Sequence, residues 1–317
     1  MDFTFNEDQL MFHDSVQSFL TNEVTPEHIR EQWTTRSGRS QPLWNQLAEL
    51  GLTAVTVPEN FGGLGMNEPD FLLIAEECGY AALPEPLVET VMVVVPLIAS
   101  LGDEAHHFKE QWLPLIASGE ARVAIQHSTN PLVADAHIAD LLLLEESGSL
   151  YAVPTNEVEL TENESVDPSR KLFSVQWRAT AENCIATGEQ AEQLWADALN
   201  RGALAVAAQQ QGIARRVIDI SVDYTFERKQ FGKPVGSFQA VKHHMANVAV
   251  KIEFAKPVLY RAAYAVAHQL PDAARQVSHA KLVTSEAALL AAKNGIQVHG
   301  AMGYTWEVDL QIFMKRA

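Results

Sequence analysis

"ERKQFGKPVGSFQAVKHHMANVAVKIEFAK", residues 227–256, joins two patterns with different physical meanings. Its second half repeats apolar residues every three or four positions. Val235, Phe238, Val241, Met245, Val248, Ile252, Ala255, Leu259 and Ala262 form a sustained stripe, which predicts a long helix packed along one face. Its first half breaks that period. Arg228 and Lys229 end one helix, Phe231-Gly232 turns the chain, Pro234 and Gly236 hold the turn open, and Gln239 starts the next helix. An arginine beside a glycine turn can fork two donors onto a phosphate, and the turn's free N–H groups can add to it. The same residues also suit a basic helix end set against the helix dipole. Residue types alone leave both readings open.

Working outward, the stretch 276–300 is rich in alanine and small residues, as closely packed bundle helices require. It ends in "QVHGAMGYTWE", residues 297–307. There Gly300 and Gly303 flank a short turn and Gln297 sits in the last helical turn. This suits either a ligand approaching closely or an ordinary left-handed helix stop with a polar cap.

Toward the N-terminus the texture changes. "ARVAIQ", "ADLLLLEE", "SLYAVPT" and "KLFSVQWRAT" are short apolar or alternating runs between turn residues, which predicts strands. Residues 1–120 return to helical spacing, with Leu10, Phe12, Val16, Phe19 and Leu20 on one face. A helix over "PLWNQLAELGL" stops at Gly51, and "VTVPENFGGLGMN" is a loop. The expected order is a helical domain over 1–120, a reduced β domain over 121–188 and a helical bundle over 189–317. The fold class is mostly α with a small β-barrel.

Composition narrows the function. The chain has 317 residues, 47% hydrophobic and 20% charged, with 23 basic and 40 acidic side chains giving a net charge of −17. Such a surface repels nucleic acid and anionic lipid. No apolar run is long enough to span a bilayer and the N-terminus lacks a signal-peptide pattern, so neither membrane nor nucleic acid is an expected partner. Two cysteines, Cys78 and Cys184, cannot build a disulfide framework, in keeping with a cytoplasmic protein. His243 and His244 lack partners at metal-ligand spacing and are expected to be solvated. Glu76 and Glu77 are adjacent on a helix, point to different faces, and read as surface or packing groups. No dinucleotide fingerprint, P-loop or nucleophile elbow is present.

Taken together, "FTFNEDQLMFHDSVQSFLTNEVTP" (3–26), "LWNQLAELGLTAVTVPENFGGLGM" (43–66), the 227–256 stretch and "QVHGAMGYTWEVDLQIFMKRA" (297–317) resemble the acyl-CoA dehydrogenase family. The resemblance implies an N-terminal helical domain, a middle β-barrel and a C-terminal four-helix bundle. It also implies FAD as cofactor and an acyl-CoA substrate, with the flavin accepting the hydride. Carried over, Arg228, Phe231 and Gln239 would contact the flavin's diphosphate and adenosine side, and Gln297, Gly300 and Ala301 its adenine and ribose end. In that family both sets serve largely the neighbouring subunit's flavin. Ala301 stands where the family has a second glycine.

The departures are equally specific. The family's T-E-P-x-x-G-S-D and W-I-T-N-G stretches, which line the flavin ring, do not occur; "AIQHSTNPLVADAHIADLLLL" (124–144) runs almost directly between strands. The catalytic glutamate is missing from both of its family positions. There is no Y-E-G-T motif, and the alternative helix position falls at Gly202. Glu307 reads as structural, packing against the basic segment that follows it. The expectation is therefore a shortened, non-catalytic subunit that completes the FAD site of a full-length acyl-CoA dehydrogenase homologue. It resembles the heteromeric bacterial enzymes that act on steroid side chains. A self-sufficient homo-oligomeric dehydrogenase and a purely structural subunit without flavin contact are the alternatives.

Overall fold

The computed structural model describes residues 5–127 and 129–317, and these form two compact units. One comprises residues 29–71 and 84–202; the other comprises 5–28, 72–83 and 203–317.

The first unit carries the sheets. Its four-stranded sheet has the order β1-β3-β4-β7, from Val123–Ile125, Leu141–Glu146, Ser149–Pro154 and Cys184–Thr187. β1 runs parallel to β3, and the other pairs are antiparallel. A second sheet has the order β2-β6-β5, from Val133–Ala134, Leu172–Gln176 and Glu159–Asn163. Leu142, Leu144, Val153, Phe173 and Val133 close a common core with Tyr151 and Trp177 packed against it. All four leucines of Leu141–Leu144 are buried, so β3 is covered on both faces, which explains a continuous apolar run where an exposed strand would alternate. β3 and β4 are joined by Ser147 and Gly148, at φ 54° and 74°, the two-residue turn whose twist matches that of the flanking strands. In the same unit the buried segment Leu87–Ala99 contains a π-helical turn over Thr90–Val94.

The second unit is helical. Glu7–Glu23 opens with a capping box, Asn6 and Gln9 exchanging side-chain and backbone hydrogen bonds at 2.8 Å. The expected stripe becomes the helix Gln239–Ala267, which buries Met245, Val248, Ile252, Ala255, Leu259 and Ala262. It packs along Ala273–His299, whose buried face is almost all small: Ala280, Ala287, Ala288, Ala291 and Gly295. Residues 203–227, the end of the helix Gly188–Glu227, approach residues 72–80 closely. A Cβ on Gly212 would stand 1.8 Å from the Glu76 carbonyl oxygen, and one on Gly79 would stand 2.1 Å from that of Gln209. Two glycines thus let backbone meet backbone.

That contact decides between the two readings of Glu76 and Glu77. Both are buried, at 2% exposure, and are packing groups rather than surface ones. Arg215, from the facing helix, lies 2.9 Å from Glu77 and 3.8 Å from Glu76, and His13 reaches Glu77 at 3.2 Å. Burial, with Glu77 nearby, raises the Glu76 carboxyl to about 7 against the pull of Arg215. The bond from His13 and the charge of Arg215 hold Glu77 low despite its burial. Two carboxylates share one guanidinium, and the one left without a short bond keeps its proton longer.

Candidate functional site

The helix Gly188–Glu227 ends one residue before Arg228, whose N–H still donates to the Tyr224 carbonyl at 2.9 Å. The chain then makes a miniature hairpin. Lys229–Gln230 pairs with Lys233–Pro234, and the Val235 N–H closes it on the Arg228 carbonyl at 2.8 Å. Its two turn residues are Phe231 and Gly232, at φ 54° and 79°. Glycine suits such a turn; a phenylalanine there costs roughly 1–2 kcal/mol. Phe231 is 91% exposed and meets the edge of Phe238, ring centres 6.2 Å apart. A strained backbone holding a large apolar ring in water is a feature that folding alone does not reward. Lys233 lies 4.4 Å from the centre of the Phe238 ring. Gln239 is the exposed first residue of the next helix, among its unpaired N–H groups. Among the described residues Arg228 forms no ion pair; its guanidinium is exposed and uncommitted.

Gln297, Gly300 and Ala301 lie at the end of Ala273–His299 and are all exposed. Gly300 has φ 61° and ψ −136°, which is not the left-handed stop expected but a conformation reserved almost entirely for glycine. Between Gln297 and Gly300 runs His299, which is buried and which the sequence reading passed over. Its ring stacks on Tyr224, centres 4.1 Å apart at 22°, and the Tyr224 hydroxyl donates to the His299 carbonyl at 3.3 Å. His299 Nδ1 donates to the Gly295 carbonyl at 2.7 Å, and burial pushes its pKa below the ordinary value. Tyr224 is one turn before Arg228, and His299 is the neighbour of Gly300. This stack therefore gathers the two sequence motifs, 70 residues apart, at one end of the helical unit. The only sign of it in the sequence was a histidine preceding a glycine.

The arrangement suits an anionic ligand with an aromatic part. It offers a free guanidinium, an exposed ring, a helix N-terminus and a glycine over which a ligand meets no Cβ. These are the groups that the phosphate and adenosine end of FAD requires. They form an open surface.

Elsewhere the reading needs adjustment. Glu307 is exposed, and the basic residues after it go to other partners: Lys315 over the Trp306 ring at 4.1 Å, Arg316 to the Leu83 carbonyl at 2.9 Å. His243 and His244 are exposed as expected, with His244 bonded to Asn294 at 2.5 Å. Among the described residues no group of three metal-ligating side chains is assembled, and no helix is long and apolar enough to cross a membrane. In the other unit Gly202 faces an imidazole: a Cβ there would stand 2.9 Å from His127 Cε1.

Comparison with known proteins completes the picture. Residues 6–120 match the N-terminal domain of acyl-CoA dehydrogenase, and residues 193–317 match its C-terminal domain. Acyl-CoA dehydrogenase IpdE2 of Mycobacterium tuberculosis is 31% identical over 312 residues, spanning 98% of this chain and 91% of that protein. A chain of the ChsE4-ChsE5 complex of M. tuberculosis has the same fold, with a TM-score of 0.88 at 22% identity over 100% of this chain and 93% of that one. A variant of the Tcur3481-Tcur3483 steroid ACAD superposes with a TM-score of 0.86 at 23% identity, over 98% and 92%. Both family models and a relative aligned along nearly the whole length agree with the motifs and the element order: the chain belongs to the acyl-CoA dehydrogenase family.

Proposed function

We propose that this chain is the partner subunit of a heteromeric, FAD-dependent acyl-CoA dehydrogenase. It contributes the clamp for the phosphate and adenosine end of FAD held by a full-length homologue. The flavin, when bound, supplies the hydride-accepting chemistry. This chain's part is to bind and orient. Arg228 neutralises the diphosphate, Phe231 covers an apolar portion, and Gln239, Gln297, Gly300 and Ala301 line the adenosine side.

The observation that carries this reading is the exposed, strained Phe231 beside the uncommitted Arg228, held next to the 297–301 turn by Tyr224 and His299. Such groups await something from outside the chain. Assembly is supported by apolar side chains left in water on the two long helices, Val250, Phe254, Leu282 and Leu289, with Phe254 75% exposed. The ChsE4-ChsE5 structure is itself a complex of two different proteins, and the Tcur3481-Tcur3483 protein is a steroid ACAD. A steroid-type acyl-CoA, a heterotetramer, a cytoplasmic site of action, and three domains over 1–120, 121–188 and 189–317 belong to the same proposal.

Co-expression with a full-length homologue tests it. The expected result is a yellow complex containing both chains, with FAD in a fixed ratio to the full-length chain. A chain that never co-purifies with such homologues, or that binds FAD stoichiometrically and turns over acyl-CoA alone, overturns it.

A further inference from the structure

The buried carboxylates of the helical unit reach onto the helix Glu7–Glu23, and that helix is lightly held. Only Val16 and Leu20 of its 17 residues are buried. Just before it, Phe5 meets the edge of the Tyr260 ring, centres 5.2 Å apart. Its polar tie to the neighbouring helix is His13. The ring stands between two carboxylates: Nδ1 lies 2.9 Å from Asp14 Oδ1, and Nε2 lies 3.2 Å from Glu77 Oε1. A neutral imidazole has one N–H and can donate to only one of them; the imidazolium donates to both. The geometry therefore calls for a protonated ring. When the proton leaves, one bond goes with it. The bond to Asp14 is shorter and lies within the same helix, so the bond to Glu77 is the one given up.

Glu77 Oε1 also accepts from Arg215 at 2.9 Å, while Glu76 is left 3.8 Å from the same guanidinium. The other charged or titratable groups facing this cluster are Tyr80, whose ring lies 5.2 Å under Arg215, and Lys256, Tyr260 and Glu253 from Gln239–Ala267. The bond to Glu77, helped by Asp14, holds His13 above its ordinary value against the effect of burial. Burial holds Glu76 at about 7. Glu77 is held low, so its charge persists well into acid. With both protons in place, Arg215 and His13 face the single charge of Glu77. With both gone, Arg215 alone faces Glu76 and Glu77, and a buried excess of positive charge becomes an excess of negative charge. Each group binds its proton more tightly in the folded arrangement, so each weakens that arrangement as pH rises through neutrality.

We propose that His13 and Glu76 form a proton-operated latch on the helix Glu7–Glu23: protonated, they fasten it to residues 72–80 and to Arg215, and on losing both protons they let it open. An element with few buried side chains is the kind that opens locally while the rest of the fold stays closed.

Amide hydrogen exchange of the purified full chain at pH 6, 7 and 8 tests the latch. It is read by mass spectrometry of peptides and expressed as protection factors, so that the base catalysis of exchange itself cancels. Protection of residues 10–22 should fall about fivefold or more from pH 6 to pH 8, while that of Ala273–His299 stays within about twofold. The double variant His13→Gln, Glu76→Gln titrates at neither position, and its residues 10–22 should stay within about twofold over the same range. Lost packing alone would lower protection at every pH and leave the slope unchanged. Three results overturn the proposal: wild-type protection of residues 10–22 that is level with pH, an equal fall in the double variant, or a fall shared by Ala273–His299. Should the double variant not fold, a 15N titration of His13 in the wild type decides. A midpoint that coincides with the loss of protection supports the latch, and one displaced from it by about a pH unit or more refutes it. The cluster includes neither Arg228 nor the 297–301 turn, so FAD content in the co-expressed complex is a separate outcome.

Discussion

Tyr224 and His299 stack at 4.1 Å although 75 residues separate them, and each is the near neighbour of a different ligand motif. One is a helical turn before Arg228; the other abuts Gly300. Replacing Tyr224 with Ala should loosen both motifs at once. The stack contributes ~0.5–1.5 kcal/mol beyond area burial, and Tyr224→Phe should keep most of it, losing only the long hydrogen bond. The measurement is FAD retained by the co-expressed complex after gel filtration: sharply reduced in Tyr224→Ala, close to wild type in Tyr224→Phe.

Arg228→Ala should cost the complex a charge-assisted contact of ~1.5–3 kcal/mol, roughly a 10- to 150-fold weaker hold on FAD. Arg228→Lys should recover part of this, because a point charge replaces a fork. Equilibrium dialysis of FAD against the complex reads both. An Arg228→Ala complex with unchanged flavin affinity would leave the structural-subunit alternative standing.

Phe231→Gly should separate stability from binding. Glycine relieves a turn residue at φ 54°, so the chain should gain about 1 kcal/mol in urea unfolding. The same change removes the exposed ring, so flavin retention should fall. A substitution that stabilises the fold while weakening the complex would mark Phe231 as kept for the ligand.

Glu76 should make stability depend on pH. Its carboxyl is raised from 4.5 to about 7 in the folded chain. Below pH 4.5 both states hold the proton. Between 4.5 and 7 the unfolded chain has released it while the folded chain keeps it, so stability falls as pH rises through that window. The whole loss is about 3 kcal/mol relative to an unshifted carboxylate. Glu76→Gln should remove this component, so that the difference between wild type and variant changes between pH 4.5 and 7 and levels off above 7. Urea midpoints at pH 5, 6, 7 and 8 test the sign.

Gly212→Ala should destabilise by about 3 kcal/mol, since its Cβ would meet the Glu76 carbonyl at 1.8 Å and backbone must move. Thermal unfolding of that variant beside wild type checks the close helix contact.

Period and punctuation made much of this legible in the sequence. The stripe from Met245 to Ala262 is buried as its spacing predicts, and the break at Phe231-Gly232 is a tight turn. What stayed hidden depends on partners distant along the chain. Glu76 and Glu77 looked like neighbours facing apart, because nothing local shows that Arg215 lies against both. His127 meets Glu89 across 38 residues and Gly202 across 75. His299 carries no motif of its own, and its value lies in a ring 75 positions upstream.

The hairpin that presents Phe231 has room for two turn residues and no more, because Lys229 is registered on Pro234 and Gln230 on Lys233. Adding or deleting one residue there would slip that register and send the aromatic ring to the opposite face of the ribbon. Chains descended from a common ancestor should therefore tolerate changes of residue type along this arm far more readily than changes in its length.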